Sequence, residues 1–298
     1  MALTPQQTAS VKLTVSMLIF GSIGVFVHYI PIASSMIAMV RALLGVICLF
    51  SVALFRKNKL SFADIRKNIT LLCISGAAIG FNWILLFESY RFTSVAVSTL
   101  CYYMAPLIVI ALSPFILKEK LSAKKCLCLI AAIIGMVLIS GIASESLPTT
   151  GEATGILLGI GAAVLYASVM LMNKHITGIP AFDKTVIQLS VAALVLIPYN
   201  LLTVDWSSID LSFSAVGHLI VVGVVHTGLA YYLYFGSMDH MSGQSIALFS
   251  YIDPVFAILT SILLLQEPFT WLNGVGAVLI IGAAVIAEMP AAHRRKQI

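Results

Sequence analysis

Charge is what this chain has least of. Only 10% of its 298 residues are Asp, Glu, Lys or Arg, against about 25% in soluble domains. Long polar stretches are missing too. No gap between apolar segments exceeds about fifteen residues, so no folded domain fits outside them. The alternating segments of roughly ten residues that mark a membrane β-barrel are absent. Cysteine is sparse: Cys48, Cys73, Cys101, Cys126 and Cys128 are odd in number and lie in apolar surroundings. They read as small packing residues, not a disulfide framework. Cys126 and Cys128 are one residue too close for a CxxC pair. No phosphate-cradling glycine loop, HExxH, GxGD or GxSxG pattern occurs. These absences exclude an ATP-driven machine and speak against an intramembrane enzyme.

Apolar residues fill the space that charge leaves. They make up 60% of the chain, and mean hydropathy is +1.05. Ten stretches are long enough for a ~30 Å hydrocarbon core, which takes about 20 helical residues. They run 12–31, 33–55, 68–88, 94–117, 124–143, 153–173, 185–202, 213–236, 243–265 and 270–288. The cations fall in alternate gaps. Lys12, Arg56, Lys57, Lys59, Arg66, Lys67, Lys118, Lys120, Lys124, Lys125, Lys174, Lys184, Arg294, Arg295 and Lys296 share one side, Arg91 takes the other, and Arg41 lies within a stretch. The opposite gaps carry Glu145, Glu152, Asp205, Asp210 and Glu267. Positive charge marks the cytoplasmic side, so a multi-pass protein of the cell membrane with both termini cytoplasmic is expected. The first stretch lacks a small-residue cleavage site and is read as a retained helix. The net charge of +5 suits loops facing anionic lipid and implies no nucleic-acid partner.

The second half echoes the first at an offset of 148 residues. Tyr103-Met-Ala-Pro106 matches Tyr251-Ile-Asp-Pro254, and Leu117-x-Glu119 matches Leu265-x-Glu267. Gly80 pairs with Gly228, Phe87 with Phe235, and Ser113 with Ser261. The division falls at 1–146 and 147–298, with five helices each. Five is odd, so the second copy enters the membrane from the opposite face. The expected fold is all-α and polytopic: ten transmembrane helices as two inverted five-helix repeats around a central cavity. Two mirrored packings of one architecture are how many carriers alternate access around a midplane site.

The residues resemble the drug/metabolite transporter superfamily, specifically its ten-helix EamA-type members, over the whole chain. The resemblance is carried by Phe20-Gly-Ser-Ile-Gly24, Arg41, Asn82-Trp83, Tyr90, Ser94-Val-Ala-Val97 and Ala105-Pro106 through Lys118-Glu-Lys-Leu-Ser122. In the second half it rests on Asn173-Lys174, His226-Thr-Gly-Leu-Ala-Tyr231, Asp253-Pro254 and Leu265-Gln-Glu267. One departure is Asp253, where many relatives carry Glu. The resemblance implies ten helices around a cavity and movement of small metabolites, often amino-acid or drug export. It fixes no substrate.

A few residues stand out chemically. Arg41 lies ~12 Å down a helix, where a cation is costly; it reads as a structural clamp, a gate or an anchor for a carboxylate. Asp253 precedes Pro254, which frees a carbonyl near Ser250, and suits a cation, a proton or a pairing with Arg41. His226 titrates near neutrality in principle, or is simply hydrogen-bonded. Asn82, Trp83, Tyr103, Tyr231 and Tyr251 offer faces for rings or cationic heads, with core packing as the alternative. Glu88 reads as a rim ion pair with Arg91, Asn173 as a cap or gate, and Pro106 and Pro254 as kinks. No catalytic residue, metal site or cofactor is expected. The expected partners are a small-molecule substrate and the lipid bilayer, with protons as a candidate coupling ion and a homodimer left open. Amino-acid or amphipathic-metabolite export is the leading expectation, organic-cation or drug transport the alternative, and a channel or intramembrane enzyme the alternative of another class.

Overall fold

The computed structural model of the chain describes residues 4–54, 62–118, 121–139, 148–209, 212–238, 240–241 and 243–289. Arg56, Lys57, Lys59, Glu119, Lys120, Glu145, Asp210, Arg294, Arg295, Lys296 and the division between 146 and 147 lie outside the described residues.

Helix starts follow from local chemistry. α1 (Pro5–His28) opens on a capping box in which Thr4 and Gln7 satisfy each other's amides, with proline at the first turn. After α2 (Ser34–Leu54) and α3 (Phe62–Phe92), the Ser94 hydroxyl accepts from the Val97 amide and starts α4 (Val95–Tyr102). α5 (Ala105–Ile116) and α6 (Ala123–Ile139) complete the first repeat. α7 (Thr150–His175) has its own capping box, from Thr149 and Glu152. α8 (Ala181–Thr203) follows. The next span is composite: α9 (Phe213–Ile220), a π-helical segment (Val221–Leu229) and α10 (Ala230–Met238). α11 (Gly243–Ser250), α12 (Ile252–Leu264) and α13 (Trp271–Glu288) finish the second repeat.

Seven of these stretches are long and apolar enough to cross a membrane, and Ile252–Leu264 and Trp271–Ala287 are shorter apolar helices. Together with α6 they make ten spans: α4 with α5 is span 4, α9 through α10 is span 8, and α11 with α12 is span 9. Two expected spans are not continuous. Span 4 breaks at Tyr103–Met104 and span 9 at Tyr251. The cause is the same in both. Pro106 and Pro254 have no N–H to give the carbonyl four residues back, so the chain restarts a helix instead. Span 3 runs longer than its apolar core suggested, at 31 residues.

Packing follows the repeat. Span 3 lies on spans 6 and 7, as its counterpart span 8 lies on spans 1 and 2. Span 9 packs on span 1, as span 4 packs on span 6. Spans 2 and 7, 4 and 9, and 5 and 10 each meet their own copies. That set of contacts is what a pseudo-twofold axis produces, and an odd number of spans per repeat lays the axis in the membrane plane. The backbone carries the same signature: Lys118 (φ 57°) and Gln266 (φ 53°), 148 residues apart, both adopt the left-handed conformation.

Small residues let these helices touch. A Cβ on Gly159 would lie 2.8 Å from the Cys101 Cβ, and one on Gly155 would lie 2.8 Å from Thr93. The GxxxG face of α7 is thus filled from inside the chain. All five cysteines are free thiols.

Candidate functional site

The bends of spans 4 and 9 meet on the pseudo-twofold axis, and a hydrogen bond joins them. The Tyr103 hydroxyl donates to the Asp253 carboxylate at 2.6 Å. The repeats differ here, because the counterpart of Asp253 is Ala105. The midplane carboxylate is therefore a feature of one repeat alone.

Arg41, on α2, is 5% exposed. Its Nε donates to the Thr227 hydroxyl at 2.9 Å, and its guanidinium carbon lies 3.9 Å from the centre of the Trp83 ring. Phe87 flanks it at 5.7 Å. Thr227 is available because the π-helical segment lets its hydroxyl donate five residues back, to the Val222 carbonyl, at 3.2 Å. An extra residue in a helical turn is a common device at functional sites. Gly45 accommodates this crossing, since a Cβ there would sit 2.4 Å from Thr227 Cγ2. The terminal amino groups of Arg41 donate no hydrogen bond among the described residues. Asp253 and the Tyr90, Tyr102 and Tyr231 hydroxyls lie within electrostatic range of it. Arg91 pairs with Glu88 at 3.8 Å; Arg41 and Asp253 do not touch.

Phenols surround the carboxylate. Tyr102 stacks on Tyr166 at 5.2 Å and meets Tyr103 edge-on at 6.2 Å. Tyr102 reaches Asn82 Oδ1 at 3.5 Å, while Asn82 Nδ2 donates to the Ala162 carbonyl at 2.5 Å. Opposite them, Tyr231 packs between Phe20 at 5.2 Å and Phe235 at 6.0 Å. Burial changes along the axis. Toward the cation-poor end Arg41, Trp83, Phe87 and Tyr90 are buried; toward the cation-rich end Tyr102, Tyr103, Tyr231, Tyr234 and Asp253 are half-buried and Tyr166 is 38% exposed. Among the described residues no group of three or more His, Cys, Asp or Glu side chains suits a metal ion.

The other singled-out residues lie apart from this centre. His226 is held by protein groups: Nε2 is 3.0 Å from the Ser22 hydroxyl, Nδ1 is 3.3 Å from the Val221 carbonyl, and Phe26 covers the ring edge-on at 4.8 Å. Tyr251 is buried at the start of α12, and Pro254 in its first turn is buried too. Glu88 stays at the rim with Arg91, whose Nη2 donates to the Ile32 carbonyl. Asn173 sits at the cation-rich end of α7, accepting from Gln188 Nε2 at 2.8 Å. In the loop between spans 7 and 8, hydrogen bonds from the Ser207 hydroxyl and amide hold Asp205 below the usual carboxylate range.

Two structural residues escape a reading by composition. Gln188 is buried in α8 and also donates to the Ser75 hydroxyl at 2.6 Å, tying spans 3, 6 and 7. An amide in the middle of an apolar run was the available signal. Glu267 accepts from the Val95 amide at 2.9 Å and from the Ser261 hydroxyl. Its repeat pairing was visible, but its partner lies 172 residues away.

Comparison with known proteins fits this architecture. The EamA-like transporter family matches twice, over residues 8–141 and 153–289. The uncharacterized transporter YxxF of Bacillus subtilis is 31% identical over 258 residues, covering 85% of this chain and 80% of that protein. Protein PecM of Dickeya dadantii is 27% identical over 233 residues, 76% of each. A crystal structure 17% identical in sequence superposes with a TM-score of 0.63 over 95% of this chain and 97% of its own; that likeness concerns the fold alone.

Proposed function

Because the chain belongs to the EamA-like transporter family, we propose that it is a secondary carrier of the cell membrane that exports an amino acid or a similar amphipathic metabolite by alternating access. Both termini lie in the cytoplasm in this reading, as the distribution of Lys and Arg requires. The observation that carries the substrate class is the state of Arg41: a buried guanidinium positioned through Nε and Trp83, with its terminal amino groups without an acceptor among the described residues. A carboxylate fits that planar fork in two hydrogen bonds. Asp253, separate from Arg41 and set among phenols, takes the ammonium group. Tyr102, Tyr231 and Phe20 face the remainder of the substrate. Protons are the candidate coupling ion, with Asp253 as the group they share with cargo.

A specific observation favours a second reading. If Arg41 serves only to brace Trp83 and Thr227, the ring of phenols around Asp253 is a cage for an organic cation. Counterflow in liposomes holding purified protein separates the two. In the amino-acid reading, counterflow of an amino acid disappears in Arg41→Ala. Cation counterflow that survives Arg41→Ala but is lost in Asp253→Asn assigns the protein to organic cations. Folded protein that exchanges neither class contradicts both.

A further inference from the structure

The two ends of the bundle are built differently around spans 4 and 9, although the repeats predict that they match. The inverted repeat relates α4 to α11 and α5 to α12. α4 and α12, the halves of spans 4 and 9 nearer the cation-poor end, pack on one another, and α4 also rests on α3, α7 and α13. The related halves α5 and α11 show no comparable packing among the described residues; α11 leans on α1 and α13. Burial along the axis agrees with this: Trp83, Tyr90 and Thr99 are buried toward the cation-poor end, while Tyr102, Tyr103 and Asp253 are half-buried. The axis is therefore packed more closely on the cation-poor side.

This packing centres on the first residue of α4. A Cβ on Gly24 would lie 2.3 Å from Val95 Cγ1, so α1 fits against α4 only as it stands. The Ser89 hydroxyl donates to the Ser98 hydroxyl at 2.6 Å and to the Gly155 carbonyl at 2.8 Å. One charged side chain reaches across from the other repeat. Glu267, just after span 9, takes the Val95 amide at 2.9 Å and is itself held by Ser261. Gln266, in the left-handed conformation, turns the chain so that the carboxylate faces inward. A carboxylate on a free amide at a helix start gains both the hydrogen bond and the helix dipole.

We infer that Glu267 is the latch of the gate at the cation-poor end: its bond to the Val95 amide holds α4 against span 9, and releasing it opens the cavity on that side. The inference rests on the alternating-access reading of the cavity but not on any cargo. It makes Glu267 a positioning residue that never meets substrate. The same Leu-x-Glu sequence recurs in the first repeat, as a gate mirrored in the other half would require.

The test reads the gate without transport. Thr99, on α4 and buried, is replaced by cysteine (Thr99→Cys) after the five native cysteines are removed. A membrane-impermeant thiol reagent is then applied to right-side-out and inverted vesicles. Glu267→Ala is expected to raise labelling from the cation-poor side by roughly tenfold, the scale of a lost helix cap, and to lower it from the cation-rich side. Glu267→Gln keeps the shape and one acceptor oxygen and is expected to give a smaller shift of the same sign; it also serves as the test if the alanine variant does not fold. Labelling equal to the parent from both sides overturns the latch. So does a rise from both sides, which marks loosened packing and not an exchange of open ends. Failure to find an amino-acid or cation substrate would sink the proposed cargo and leave this result standing.

Discussion

Replacing Arg41 by methionine separates a residue that binds from one that braces. Methionine keeps most of the side chain's volume under Trp83 and is flexible enough to fill the space. It removes one hydrogen bond from a charged donor, worth about 1.5–3 kcal/mol, and a desolvated cation–ring contact worth about 2 kcal/mol. It also removes a cation whose presence deep in a span costs about 2.5–3.5 kcal/mol. These terms nearly cancel, so stability should move by about 1 kcal/mol. For a chain of this size that is a shift in Tm of about 3 °C. Binding is a different matter. Taking one partner from a buried charge pair costs about 2–5 kcal/mol, so affinity for a zwitterion should fall at least about 30-fold. The assay is thermal unfolding of purified protein across a titration of amino acid, which yields stability and affinity from the same curves. A fall in Tm of more than about 8 °C with unchanged affinity would refute the reasoning and make Arg41 a clamp between spans 2, 3 and 8.

Other perturbations follow from the same contacts. Tyr103→Phe removes the hydroxyl that joins the bends of spans 4 and 9; ammonium affinity should change by less than in Asp253→Asn, which loses the charge, and the two losses should not add in a double-mutant cycle measured by ligand binding. Gln188→Leu strands the Ser75 and Asn173 side chains and should cost about 1–3 kcal/mol of stability, read as a lower midpoint of unfolding, without altering substrate preference in competition assays. Gly24→Val forces a side chain into Val95; overpacking of this kind costs about 1–3 kcal/mol and should lower the yield of monodisperse protein on size-exclusion chromatography. A normal yield and midpoint would show that α1 shifts freely.

Some of this architecture was legible from residue types alone. The spans, their alternation of charge and the inverted repeat all follow from solvation, because a bilayer penalises every exposed charge and backbone group in the same way wherever it falls. Pro106 and Pro254 announced bends, and spans 4 and 9 divide there into separate helices. The π-helical segment was not legible. Nothing in Val221 through Leu229 demands an extra residue per turn; the fit of Thr227 against Gly45 and Arg41 accompanies it, and that is a tertiary fact. His226 looked like a titrating group because imidazole titrates near neutrality in water, whereas Ser22 and Val221 occupy both its nitrogens. Arg41 and Asp253 were visible as isolated charges. That they stay out of contact, one on an indole and the other on a phenol, is set by spans 2, 3, 4 and 9 meeting at one point, which no local pattern encodes.

The central claim is that one site recognises an ammonium and a carboxylate together. Equilibrium binding to purified protein of three matched ligands, an amino acid, its decarboxylated amine and its deaminated acid, tests it most directly. The account predicts that the amino acid binds at least about 30-fold more tightly than either fragment, and that Arg41→Met erases its advantage over the amine. An amine that binds as well as the amino acid, in the parent and in Arg41→Met alike, would contradict the account.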